Sequence, residues 1–217
     1  VLGTSKNVST FTRKELLTYA DERYSPNNIV VAAAGNVPHA KLVDLVQKYF
    51  VRHRKPVSHS PRTKISRGKQ KMQEFQKPIQ QAHICTGTVG YSVHSKHRFP
   101  SLVMNTLLGD GMSSRLFQNI RERYGFAYSV YSFLNMMRDT GSFGVYIGTD
   151  KKHVHDSLEL ISVELEKLKT KPISKAELQR TKAQLKGNML LGLESTSARM
   201  MRLGTGELYF GEFTTLE

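Results

Sequence analysis

Cysteine is nearly absent. Cys85 is the one thiol in 217 residues, which excludes an internal disulfide and is compatible with a reducing compartment. Its place in an alternating segment predicts a buried structural thiol rather than a nucleophile. Long apolar runs are absent too: the longest, Ile29 to Ala34, is far short of the roughly twenty residues that span a bilayer. No charged n-region, apolar h-region and cleavage site opens the chain. There is no Gly-x-x-x-x-Gly-Lys-Ser/Thr pattern, and the glycine-rich turn Gly109-Asp110-Gly111 follows an apolar helical pattern where nucleotide fingerprints need a strand. Helix termination explains those glycines. Acidic residues are scarce, 18 against 32 basic, leaving a net charge of +14.

The charge is unevenly spread. Nine basic residues lie between Val51 and Lys77 against Glu74 alone, so this stretch holds more than half of the excess. It is rich in Ser and Pro, without sustained apolar period, and reads as an exposed connection between two ordered regions. Aromatic residues are not interleaved with the basic ones as stacking platforms would require, which disfavours nucleic acid as a partner. The same field would attract acidic segments of a substrate. Elsewhere, 39% hydrophobic content is enough for a sizeable core.

Thr12-Arg13-Lys14-Glu15 is a capping box opening a helix to about Arg23, with Leu16, Leu17 and Ala20 inward. Asn28 to Gly35 reads as a buried strand, followed by a helix from Pro38 with Leu42, Val43, Leu45, Val46 and Phe50 on one side. Gln80 to Tyr91 alternates and predicts a central strand, with Ala82, Ile84, Thr86 and Thr88 on one face and His83, Cys85, Gly87 and Val89 on the other. Phe99 to Leu108 is helical. Ser113 and Ser114 are set to cap a helix to Tyr124 that Gly125 ends. Strands follow at Phe126 to Arg138 and Gly141 to Gly148, joined by a hairpin turn at Asp139-Thr140-Gly141. Asp150 is set to cap the next helix, and Ser174-Lys175-Ala176-Glu177 is a second capping box for a helix to about Glu194. A last helix runs from about Ser195 to Tyr209. The order predicts α+β, an antiparallel sheet with helices packed on one face.

The segment from Leu107 to Val130, LLGDGMSSRLFQNIRERYGFAYSV, sets Arg121 in the last turn of a helix and Tyr128 at the start of a strand. From residue type alone, Arg121 is a helix C-terminal cation and Tyr128 an amphipathic strand residue. The histidine pairs His94/His97 and His153/His155 lack a nearby cysteine or second ligand pair and read as exposed side chains rather than zinc ligands.

Gly109 to Val130 closely resembles a recurring segment of the M16 zinc metallopeptidases, G-x-G-x-S-S-R-L-F-x-x-I-R-x-x-x-G-x-x-Y-S-V, from the second of their two half-domains. Val1-Leu2-Gly3-Thr4, Leu16 through Tyr24-Ser25-Pro26-Asn27-Asn28, and Val31 to Val37 are similar to the end of the first half-domain. Glu194 to Met200 and Gly206-Glu207-Leu208 are similar to late helices of the second. The resemblance implies a LuxS/MPP-like metallohydrolase half-domain at 78–217, truncated at its C-terminus, the C-terminal part of the first half-domain at 1–50, and a basic linker at 51–77. It departs from the family in one respect: none of the eight histidines begins the zinc motif His-x-x-Glu-His. With no initiator methionine, the chain is expected to be a fragment of a longer enzyme.

The resemblance further implies that Arg121 and Tyr128 contact the substrate backbone and the developing oxyanion. Arg115 is expected to be structural, its stem packed on the helix. Zinc is implied for the full-length enzyme, with none bound catalytically by this chain and neither catalytic metal binding nor peptide cleavage by the chain alone. The implied partners are the missing N-terminal half-domain or a second M16 subunit, and a peptide substrate. A homodimer is a further expectation, through apolar surface at the truncated edge; no membrane is implied. The competing readings are an inactive M16 paralogue serving as partner subunit of a catalytic chain, and a basic nucleic-acid-binding module. The compartment is not fixed by the residues; bacterial cytoplasm is favoured, with periplasm and organelle as the alternatives.

Overall fold

The computed structural model describes residues 3–50, 63, 71–213 and 215. Most of the basic stretch expected to be a linker, 51–77, lies outside the described residues, as do Val1 and Leu2. The chain divides into two compact units, one comprising 1–63 with 193–217, the other 64–192.

The first unit contains four helices among its described residues: α1 (Ser5–Thr10), α2 (Arg13–Arg23), α3 (His39–Phe50) and α7 (Thr196–Phe210). The capping box of α2 forms as expected, Thr12 Oγ1 accepting from the Glu15 amide while Glu15 accepts from the Thr12 amide at 2.8 Å. That bond from the Thr12 backbone holds the Glu15 carboxyl below its usual range. Ser195 caps α7, accepting from the Ala198 amide. Among the described residues the apolar faces do not close into a core. Leu16 and Leu17, expected inward, are exposed, as are Val43, Leu45 and Phe50. Of residues 28–35, expected to form a buried strand, Asn28 ends the 3-10 turn Pro26–Asn28 and the rest pair with no strand among the described residues, Ile29, Val30 and Val31 being exposed. An apolar run becomes a strand only where a neighbour supplies the ladder, and a helix buries its stripe only against a second layer.

The second unit has a core. Its three strands, β1 (Gln81–Gly90), β2 (Ala127–Met136) and β3 (Gly141–Asp150), form an antiparallel sheet in the order β1-β3-β2. The central strand is therefore β3, and β1, expected to be central, lies at an edge of this sheet, because β3 pairs with its hairpin partner β2 on one side and with β1 on the other. Helix α4 (Arg98–Gly109) and a π-helical segment (Phe117–Arg123) pack on β2, and α5 (Val154–Thr170) packs on β3. Helix α6 (Lys175–Gly192) packs on α4. The fold is α+β, as the element order predicts.

Alternation along the strands divides the sheet into two faces. Val130, Val145 and Ile147 are buried with Leu108, Leu116, Ile120 and Ile161 from the helical layer, and Ile84 and Phe143 pack against them. The opposite face carries His83, Cys85, Tyr131 and Tyr146. Cys85, expected to be buried, is exposed because it alternates onto that open face.

Candidate functional site

Two glycines set the entry to the site. A Cβ on Gly109 would stand 2.2 Å from the Ser132 amide nitrogen, so the end of α4 crosses β2 at a distance only glycine permits. The contact is fastened by Ser132 Oγ donating to the Asn105 carbonyl at 3.0 Å. These glycines thus do more than terminate a helix. Gly111, with φ 94°, completes the turn.

The expected serine caps do not form. Ser113 Oγ instead donates to Gln184 Oε1 at 2.9 Å, and Gln184 Nε2 donates to the Asp110 carbonyl at 2.9 Å, so α6 clamps the turn. Ser114 is buried with no hydrogen-bond partner for its hydroxyl among the described residues. Arg115 forms a bidentate pair with Glu177 of α6, both bonds 2.8 Å. The guanidinium holds the Glu177 carboxyl below its usual range, and the carboxylate pushes Arg115 up in turn. Arg115 is structural, through this pair. The second capping box is consequently half made: Ser174 Oγ accepts from the Glu177 amide, while the Glu177 carboxylate is spent on Arg115. The expected cap by Asp150 is also missing, since its side chain makes no cap bond and α5 is entered through the 3-10 turn Lys151–His153.

From Phe117 to Arg123 the helix is π-helical, not α-helical. Such widened turns admit an extra residue and recur at functional positions. Ile120 buries into the core, and Asn119 Nδ2 donates to the buried Glu164 carboxylate of α5 at 2.9 Å, pinning one side of the segment. Arg121 lies on the other side. It is exposed, its guanidinium 4.9 Å from the centre of the Phe117 ring, and it is ion-paired with none of the described carboxylates. Gly125, with φ 65°, closes the segment: its amide bonds the Arg121 carbonyl, and the Phe126 amide bonds the Ile120 carbonyl. Phe126 stacks on His153 with ring centres 4.3 Å apart, fixing where β2 begins.

Tyr128 is the extra residue of a β-bulge. Ala127 pairs with Thr149 and Ser129 with Gly148, so one position of β3 is passed while two of β2 are used. Unbroken alternation from Val130 and Ser132 would turn residue 128 toward the core. The bulge turns Ala127 there instead, and Tyr128 is 55% exposed. No hydrogen bond or ring contact joins Arg121 to Tyr128; what unites them is their place, either side of the Gly125 turn and free of the core. Beyond them the open face continues as a stack, Tyr131 on Tyr146 at 4.9 Å and Tyr146 on His83 at 6.1 Å, with His83 Nδ1 and the Tyr146 hydroxyl hydrogen bonded at 2.7 Å. Neither Tyr146 nor His83 stood out in the sequence. The bulge had a signal, Ala127 and Val130 being apolar three apart in an otherwise alternating run.

The described histidines do not assemble a metal centre. His83 is engaged by Tyr146, His97 lies against Tyr91, and His153 is stacked on Phe126. Among the described residues no group of three His, Cys, Asp or Glu is placed to hold an ion. No helix among them is long and apolar enough to cross a membrane.

A family model described as "Peptidase M16 inactive domain" matches residues 10–185. The chain belongs to the M16 peptidase family. It is 38% identical over 221 residues to a Mycobacterium tuberculosis protein named as an uncharacterized zinc protease, spanning all of this chain and 50% of that one. It is 35% identical over 226 residues to the similarly named YmxG of Bacillus subtilis, spanning all of this chain and 53% of that one. The chain thus covers about half the length of these M16 relatives. Its fold is similar to the crystal structure of a peptidase M16 inactive domain from Pseudomonas fluorescens, with a TM-score of 0.84 at 22% identity over 95% of this chain and 49% of the other. A protease from Helicobacter pylori gives a TM-score of 0.82 at 22% identity, covering 95% of this chain and 52% of that one. The chain is accordingly a non-catalytic M16 half of the kind carried by zinc-protease-like proteins.

Proposed function

We propose that the chain supplies the substrate-facing wall of an M16 peptidase chamber, in which a peptide or unfolded segment is held between this half and a zinc-binding half. The residues described do not fit a zinc ion, so their part is binding and charge stabilisation. Residues 78–217 would form this second half, 1–50 the end of the first, and 51–77 the connection between them. The partner is the other half-domain or a second M16 subunit.

The observation that carries the reading is the bulge that turns Tyr128 off the core and onto the open face. A phenol there is a donor with no hydrogen-bond partner among the described residues, and Arg121, its guanidinium free of the described carboxylates, is a second. Attack of water on a peptide carbonyl moves negative charge onto its oxygen. A phenolic O–H and a guanidinium N–H fixed before the reaction stabilise that charge without reorganising. Arg121 also suits a substrate carbonyl, which its planar donors engage in the ground state. Losing Tyr128 should therefore lower kcat, whereas losing Arg121 should raise KM as well.

Tyr128→Phe in the full-length protein tests this. The expected result is a kcat lower by about 10²- to 10³-fold with KM nearly unchanged, the size of losing one oxyanion donor. Unchanged turnover would remove the role. A full-length protein that assembles with a catalytic M16 chain and cleaves nothing alone would instead establish the partner-subunit reading.

A further inference from the structure

Beside Tyr128 the open face has a notch floored by glycine. Gly148 pairs with Ser129 on one side and His83 on the other, and it has no side chain to fill the space between them. A Cβ built on Gly148 would stand 3.1 Å from Ser129 Oγ, 3.5 Å from the Tyr146 hydroxyl and 3.6 Å from His83 Nδ1. Three polar atoms from three strands thus converge on one point, one residue from the bulge.

We propose that this notch is a specificity subsite for an acidic side chain, Asp or Glu, of the bound peptide. The inference rests on the substrate-facing role argued above and adds to it a preference among substrates.

Donor chemistry is the first reason. The single hydrogen bond between His83 and Tyr146 uses one proton. If the phenol donates it, the imidazole keeps a proton on Nε2; if the imidazole donates it, the phenol keeps its own. Nε2 lies across the ring from the notch-facing Nδ1, so it is the second arrangement that leaves a donor at the notch, the phenol O–H, and an incoming carboxylate selects it; Ser129 supplies another. A carboxylate has two oxygens to receive them, and these charge-assisted bonds are stronger than the same bonds to an amide.

The local field is the second reason. Antiparallel pairing brings the start of β1, the start of β2 and the end of β3 to one end of the sheet. Within six residues of that end the chain carries Lys77, Arg121, Arg123, Lys151 and Lys152 against Glu122, Asp150 and Asp156. Asp150, on the same strand face as Gly148, is the one carboxylate in line with the notch, and two lysines follow it directly. The net field at this end favours an anion.

The test is binding of two extended peptides to the full-length protein, identical except for Glu or Gln at one position, scanned along the peptide. At one position Glu should bind about tenfold more tightly than Gln. His83→Gln and Gly148→Ala should each bring that ratio close to one; the alanine methyl asks a few tenths of an ångström only of the Ser129 hydroxyl, a side-chain end that turns about one bond, so the unfolding curve should not move. Equal binding of Glu and Gln peptides at every position would reduce the notch to a seat for water and overturn the proposal. A Glu preference that survives both variants would overturn it too. Glu-selective binding without cleavage would leave the subsite standing and count against the peptidase role, so the two claims fail separately.

Discussion

The two faces of the three-stranded sheet are built from alternate residues of the same strands, yet they differ in kind. On one, Val130, Val145 and Ile147 are buried under α4, α5 and the π-segment. Burial of such side chains stabilises by about 1.5–3 kcal/mol each. On the other, Tyr131 stacks on Tyr146 and Tyr146 on His83, in contacts worth about 0.5–1.5 kcal/mol apiece. The sheet is thus held from one side, which leaves the other to be chosen for what it binds. The bulge at Tyr128 is where a residue changes sides. One inserted position moves a phenol from the stabilising face to the open one, and Ala127 takes up the vacated core direction.

The contrast is broken most severely at Gly109→Ala. The new methyl would collide with the Ser132 backbone, forcing α4 off β2. A loss of about 3 kcal/mol or more is expected in denaturant unfolding, enough to prevent accumulation of folded protein. A stable variant would show that the crossing is looser than the geometry requires.

Ile147→Ala and Tyr146→Ala compare the faces at adjacent positions of β3. The first should cost about 2–4 kcal/mol, the second about 1 kcal/mol. Equal losses by chemical denaturation would erase the distinction between a supporting face and a free one.

Glu177→Gln sharpens the comparison between two arginines of one segment, Arg115 tied down and Arg121 left available. Removing the bidentate partner should cost about 1–2 kcal/mol at neutral pH. Since the Glu177 carboxyl is held below its unfolded value, its contribution is complete above the ordinary carboxylate range. It fades as pH falls below about 4.3 and through the lowered folded value. The variant should therefore lose stability less steeply in acid than the parent does. An identical acid limb would mean that the pair carries no net stability.

Much of this was legible in the residues. The helices at Thr12 and Ser195 start where a side-chain oxygen can cap them, and the hairpin strands follow from alternation, because these signals act within a few residues. What could not be read was set by distant partners. Glu177 looks like a capping-box residue until Arg115, sixty-two positions away, takes its carboxylate. Ser113 looks like a cap until Gln184 reaches the turn. Ile29 to Ala34 has the composition of a buried strand but meets no ladder among the described residues. The site divides the same way: Arg121 and Tyr128 stand out by motif, while Gly148, Tyr146 and His83 acquire meaning only when the sheet aligns them.

The most direct test is kcat of Tyr128→Phe in the full-length protein, measured with its unfolding curve. The account predicts turnover about 10²- to 10³-fold lower with stability unchanged, since the lost hydroxyl belongs to the free face. Turnover equal to the parent's, or a loss that merely follows unfolding, would contradict it.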